Sequence, residues 1–111
     1  MEFEVDSSRA GPWAVVSARG ELDLYTVALL KDELGPIVES ESLLVFDFTK
    51  LDYIDSTAVG VVVSALLTMR KKGGAVRLAC SQNVRKVFES AGLHKQIDVY
   101  DSLDEATRPS S

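Results

Sequence analysis

The sequence predicts a mixed α/β fold, a largely parallel sheet with helices packed against it and an N-terminal strand lying antiparallel at one edge. Three observations predict it. Strand-patterned and helix-patterned segments alternate along the 111 residues, the order that builds parallel sheets through right-handed crossovers. The first two strand-like segments are separated by a turn-rich stretch and no helix, so they pair as a hairpin. Helical segments then stop at glycine, at Gly73-Gly74 and again at Gly92.

Taken in order, Phe3 and Val5 alternate with Glu2, Glu4 and Asp6, the period-two pattern of a short half-buried strand. Residues 7–12, Ser-Ser-Arg-Ala-Gly-Pro, read as a turn, and residues 13–19 as a second strand ended by Gly20. Gly20-Glu21-Leu22-Asp23 is then a connecting loop carrying two carboxylates. From Leu24 the period becomes helical: Val27, Leu30, Leu34 and Ile37 share a stripe, with Lys31, Asp32 and Glu33 opposite. Gly35-Pro36 is expected to end or kink this helix before a last turn to Ser40.

Residues 43–48 are a compact apolar run suited to a buried strand. Residues 51–55 lead out of it as a short extended segment. Residues 56–72 reach the Gly73-Gly74 stop. Val61-Val62-Val63 favours a strand, but the length, Ser56 at the start and Arg70-Lys71-Lys72 at the end favour a helix. Residues 75–80 are a further strand. Residues 81–91 are a helix with Val84, Val87 and Phe88 on one face, closed by Gly92. Residues 97–100 form a last short strand, 102–105 open a final helical turn with a capping-box-like start, and 108–111 are expected to fray. The length corresponds to one domain, residues 1–111.

Composition narrows the function. Apolar residues make up 46% and charged residues 26%, ordinary globular proportions. The net charge of −5, from 12 basic and 17 acidic side chains, speaks against a phosphate backbone or an anionic membrane as partner and for a basic or mixed protein surface. A single cysteine, Cys80, allows no intrachain disulfide and reads as a buried small hydrophobe. The first residues have no basic segment typical of a signal peptide, and the charge-free stretch 56–69 is too short to span a bilayer. The chain is therefore expected to be a soluble, cytoplasmic protein.

Enzymatic chemistry finds little support, so the expectation is a protein that is not an enzyme and holds no cofactor or metal. His94, the one histidine, has no metal-ligand spacing around it. Ser56 lacks the flanking glycines of a hydrolase nucleophile, and no glycine-rich phosphate loop occurs. Asp47 has no acidic neighbour with which to form an aspartyl phosphorylation site. What remains is residues 51–60, Leu-Asp-Tyr-Ile-Asp-Ser-Thr-Ala-Val-Gly, where two hydroxyls follow an acid as a strand gives way to a helix. In one reading Asp55, Ser56 and Thr57 simply cap the helix. In another, a first-turn hydroxyl displayed at the sheet rim accepts a phosphate, which the positive end of the helix tolerates. Spacing alone leaves both open.

Asp55-Ser56-Thr57-Ala58-Val59-Gly60, preceded by Leu51-Asp52-Tyr53-Ile54, resembles the phosphorylation motif of the STAS-domain anti-sigma factor antagonists. Gly20-Glu21-Leu22-Asp23 resembles that family's acidic loop, and the Lys71-Lys72-Gly73-Gly74 stop and the segment 87–93 also fit. The resemblance extends over about residues 3–104 and implies a STAS-like fold. It further implies an anti-sigma factor antagonist that, unmodified, binds an anti-sigma factor with serine kinase activity and so frees a sigma factor. Ser56 is the implied phosphorylation site, with Thr57 second, and phosphorylation switches binding off until a phosphatase restores it. Glu21, Asp23, Asp55, Ser56, Thr57 and Gly60 are the implied partner-binding residues, with Asp23 as the loop aspartate of the kinase contact. No nucleic acid or membrane partner is implied, and the chain is expected to be a monomer or weak homodimer. Two departures stand out: Ala58 where the family commonly has glycine, and Val59 where leucine is usual. Ala58 is expected to stiffen the helix start by about 1 kcal/mol and to crowd the approach to Ser56. Alternatives are a STAS scaffold or regulatory subunit of a larger signalling complex, or a small nucleotide-binding α/β domain.

Overall fold

A computed structural model describes residues 3–109. Its elements are β1 (Glu4–Ala10), β2 (Trp13–Leu22), α1 (Val27–Ser40), β3 (Leu43–Ile54), α2 (Ser56–Lys71), β4 (Ala75–Cys80), α3 (Gln82–Ser90), a single 3₁₀ turn (Leu93–Lys95), β5 (Asp98–Tyr100) and α4 (Leu103–Thr107). The five strands form one sheet in chain order. β1 is antiparallel to β2 at an edge, and β2, β3, β4 and β5 run parallel.

The two sheet faces are covered unequally. Leu44, Phe46 and Phe48 of β3, Leu78 of β4 and Val16 and Leu22 of β2 meet the inner faces of α1, α2 and α3, and all six are fully buried. Each such side chain contributes about 1.5–3 kcal/mol by leaving water, so this face carries most of the stability. On the other face a smaller cluster, Trp13, Val15, Val45 and Ala79, is closed by Ala106 of α4.

Four boundaries differ from the sequence expectation, three for a tertiary reason and the start of α1 for a local one. β1 continues through Ser7, Ser8 and Arg9, and the turn shrinks to Gly11-Pro12, because Ala10 pairs with Trp13. The polar residues hid the strand because they are exposed on an edge. β2 does not stop at Gly20: that residue takes φ +98°, available to glycine, and the register shifts beside it while the strand goes on to Leu22. Residues 43–55 are not a strand plus a separate extended piece but one strand to Ile54, held in register by the lengthened β2. α1 starts at Val27 rather than Leu24 because Asp23 and Thr26 build a turn first. It also runs through Gly35-Pro36 to Ser40. Pro36 and Asp32, whose carbonyl loses its usual donor, are both exposed residues. The last turn is tied down instead by Lys72, whose Nζ donates to the carbonyls of Glu41 at 2.8 Å and Glu39 at 3.2 Å, and to that of Val38.

At the other end of the chain, Ser102 Oγ accepts from the Glu105 amide at 3.2 Å, as the capping pattern requires. The carbonyl of Arg108 accepts from Arg77 Nη1 at 3.0 Å. Of the tail expected to fray, Ser110 and Ser111 lie outside the described residues, as do Met1 and Glu2 of the first strand pattern.

Candidate functional site

Parallel pairing brings the two sequence motifs to one place. Because β2 and β3 run side by side to their C-terminal ends, Glu21 pairs with Tyr53 and Leu22 with Ile54. The next amide, Asp55 N, donates to Leu22 O at 3.1 Å. The acidic loop and the start of α2 thus leave the same rim of the sheet together, the rim at which open α/β folds place their sites.

Each loop is held by local chemistry. Asp23 Oδ1 accepts from the amides of Tyr25 at 2.9 Å and Thr26 at 3.1 Å, and Asp23 O accepts from Val27 N at 2.9 Å. Thr26 Oγ1 closes the turn, accepting from Asp23 N at 2.9 Å and donating to Glu21 O at 2.8 Å. On the other loop Asp55 is the N-cap of α2: its Oδ1 accepts from Ala58 N at 3.1 Å. Its second oxygen, Oδ2, accepts from Leu24 N at 3.1 Å, 31 residues away in sequence. One carboxylate therefore joins the two motifs.

Ser56 is the first residue of α2 and is exposed, and among the described residues its hydroxyl has no intramolecular partner. Thr57 is exposed as well, but with Gly60 it lines a groove of about 580 Å³ between α1 and α2. Glu21 is exposed beside the rim, while Asp23 and Asp55 are half-buried and committed to backbone amides. The structure thus gathers Glu21, Asp23, Asp55 and Ser56 and turns Thr57 and Gly60 toward a neighbouring groove. Ala58 does not crowd the approach to Ser56: it is completely buried, its methyl group packed in the main core.

Sequence reasoning missed the apolar part of the rim. Leu24 is 63% exposed, Tyr25 88% and Tyr53 52%. Leu24 lies three residues before Val27, on the apolar stripe of α1, and so imitates a core residue; only the turn built by Asp23 and Thr26 takes it out of the helix. Tyr53, next to Asp52 at the end of a buried strand, was the legible signal. Elsewhere, Cys80 is buried and unpaired, and burial pushes its thiol up to about 11 against some lowering by Arg85, which keeps it protonated at neutral pH. Among the described residues no three His, Cys, Asp or Glu side chains gather to hold a metal ion, and no helix is long and apolar enough to cross a membrane.

Fold and rim together define a mixed α/β domain that offers a free helix-start hydroxyl beside apolar side chains. The chain belongs to the STAS domain family, which matches residues 5–106. The anti-sigma-B factor antagonist of Bacillus subtilis is 30% identical over 100 residues, a match spanning 89% of this chain and 92% of that protein. Among solved structures, an anti-sigma factor antagonist from Mycobacterium paratuberculosis superposes with a TM-score of 0.86 at 23% identity, over 95% of this chain and 91% of that one. The Bacillus cell fate determinant SpoIIAA in its phosphorylated form superposes with a TM-score of 0.71 at 23% identity, over 95% and 96% of the two chains. The five-stranded sheet with one antiparallel pair is the SpoIIAA-like fold.

Proposed function

We propose that this protein is an anti-sigma factor antagonist whose unmodified form binds an anti-sigma factor with serine kinase activity, freeing a sigma factor, and whose phosphorylation at Ser56 switches that binding off. The observation that carries the reading is the exposed, unpartnered Ser56 hydroxyl at the head of α2, on the same sheet rim from which the exposed residues Leu24, Tyr25 and Tyr53 come. The names of the relatives point the same way.

The physical account is electrostatic. A phosphate on Ser56 adds about −1.5 to −2 charges at neutral pH. Asp23, Asp55 and Glu21 already make the rim acidic, and the α2 N-terminus offsets roughly 0.3–1 kcal/mol of the added charge. The fold therefore tolerates the group. A partner shaped for a neutral hydroxyl does not, since like-charge juxtaposition at an interface costs about several kcal/mol and each 1.4 kcal/mol is about tenfold in affinity. Phosphorylation then weakens binding by roughly a hundredfold or more without reshaping the chain, and a phosphatase resets it.

The experiment is a pull-down from native extract with wild type, Ser56→Ala and Ser56→Asp in parallel, followed by ATP addition and mapping of incorporated phosphate. Wild type and Ser56→Ala capture the same protein, wild type takes up one phosphoryl group at Ser56, and Ser56→Asp captures nothing while its thermal midpoint stays near wild type. Phosphate incorporated by Ser56→Ala moves the site elsewhere. Undiminished capture by Ser56→Asp removes the switch.

A further inference from the structure

We infer that Asp55 is a positioning residue: through its two carboxylate oxygens it fixes the Leu24-Tyr25 segment against the head of α2, so that this apolar pair and the Ser56 hydroxyl are presented as one rigid surface. The inference rests on the proposed function for what docks there, but its structural half stands by itself. The resemblance places Asp55 among the residues that touch a partner. The geometry gives it a different task.

Both oxygens of Asp55 are occupied within the chain. Oδ1 accepts from Ala58 N and Oδ2 from Leu24 N, each at 3.1 Å, and the residue is half-buried. The first bond is ordinary helix capping. The second is long-range, and it lands on a segment whose side chains are left largely in solvent: Leu24 and Tyr25 are 63% and 88% exposed. On its far side that segment is fixed by the Asp23–Thr26 turn. The bond to Asp55 Oδ2 adds a restraint from the Ser56 side. Without it the two exposed side chains lie on a turn whose outer edge is free to move relative to Ser56. An ordered docking surface loses less conformational entropy on binding than a mobile one, so the latch acts on affinity while contributing little contact of its own.

The two roles of the carboxylate separate cleanly. An ionised aspartate accepts with both oxygens, whereas asparagine offers one acceptor and one donor. In Asp55→Asn the amide oxygen keeps the cap at Ala58 N, asparagine being as good an N-cap as aspartate. The amide nitrogen then faces Leu24 N, donor against donor, and the latch is lost. Asp55→Ser is a second route to the same state, since a serine hydroxyl caps Ala58 N and is too short to serve the Leu24 amide as well.

The test has two arms on the full chain. In the first, hydrogen exchange at the Leu24 and Ala58 amides is followed by NMR in wild type, Asp55→Asn and Asp55→Ser, together with the thermal midpoint. Leu24 exchange accelerates roughly tenfold or more, as for loss of a hydrogen bond to a charged acceptor, while Ala58 exchange and the midpoint stay near wild type. Leu24 protection that persists in both variants overturns the latch; so does parallel loss at Ala58 with a lowered midpoint in both, which makes Asp55 a cap and nothing more. In the second arm each variant is compared with wild type for capture from native extract and for the KM and kcat of phosphate uptake at Ser56. A raised KM at nearly unchanged kcat, with capture weakened tenfold or more, supports positioning; unchanged capture and KM with Leu24 released overturns it. If wild type itself captures nothing and takes up no phosphate, the functional reading falls, and the exchange arm still decides whether Asp55 holds the segment.

Discussion

Ala58 shows how far a single residue can be read without its neighbours. Replacing glycine by alanine in a first helical turn suggests a methyl group added to the surface around Ser56. The structure turns that methyl inward, where it is fully buried with Val62 and Ile54 in the main core. The substitution is therefore a matter of stability. Ala58→Gly is expected to destabilise the protein by about 1 kcal/mol, the helix-propensity difference, and to leave the rate of phosphate uptake at Ser56 as in wild type. Denaturant unfolding and uptake kinetics on the same preparations check both halves; faster uptake in Ala58→Gly would return the methyl group to the approach path. The cap at Asp55 and the hydroxyl at Ser56 were legible because capping is local chemistry, written within four residues. The exposure of Leu24 and Tyr25 was not, because it depends on a turn whose hydrogen bonds run from Glu21 to Val27 and on a carboxylate 31 residues away.

Among the elements, the same division between local and tertiary causes decides which boundaries the sequence disclosed. The end of α2 was plain in Lys72-Gly73-Gly74, and the structure shows why both glycines are needed. Gly73 takes φ +76°, Gly73 N donates to Arg70 O at 3.0 Å and Gly74 N to Met69 O at 2.8 Å, which is a Schellman closure. Gly74 has a second reason: a Cβ there would stand 2.0 Å from the carbonyl oxygen of Ser42. That same oxygen accepts from Ala75 N at 2.9 Å and starts the pairing of β3 with β4. Gly74→Ala must therefore push two backbones apart at the start of a central pair, and it is expected to cost about 3 kcal/mol, the upper range for overpacking. The reading is the shift of the denaturation midpoint at unchanged slope; a midpoint within about 0.5 kcal/mol of wild type, as for a neutral surface change, would mean the chain relaxes there at little cost. By contrast, nothing within a few residues of Gly20 announces that β2 continues past it, and Gly35-Pro36 by itself leaves open whether α1 ends there or reaches Ser40. Those outcomes belong to β3, which holds β2 in register, and to Lys72, which ties the end of α1 from another element.

At the scale of the molecule, the sheet separates the rim that carries Ser56 from the feature that secures the end of the described chain. Arg77 is the one charged residue buried among the described residues, 9% exposed within the otherwise apolar β4. It lies on the face opposite the main helices, its guanidinium carbon 4.4 Å from the Trp13 ring centroid and 5.6 Å from that of Tyr100. Its Nη1 donates at 3.0 Å to the carbonyls of Ala106 and Arg108, the next-to-last residue of α4 and the residue just beyond the helix. A five-residue helix has little stability of its own, so α4 stays on the sheet because Arg77 satisfies its terminal carbonyls from below while Ala106 fills the gap over Val15 and Val45. Read in sequence, Arg77 was an interruption in an apolar strand, because the partners that explain it come from three distant segments. Its register neighbour on β3 is Val45, nine residues before Ile54, which places Arg77 roughly 30 Å along the sheet from the rim at about 3.3 Å per residue. Stability and docking are therefore separable. Arg77→Met keeps the apolar stem but leaves two carbonyls without these donors and removes the stacked cation, an expected loss of about 2–3 kcal/mol. The loss appears first as accelerated amide exchange and proteolytic cutting around residues 103–109, ahead of any change at the rim, and below the melting transition the variant still takes up phosphate at Ser56 as wild type does. If Arg77→Met instead slowed phosphate uptake while α4 stayed protected, the two ends of the sheet would be coupled, and the rim could no longer be treated as a surface built only by the strand ends and loops beside it.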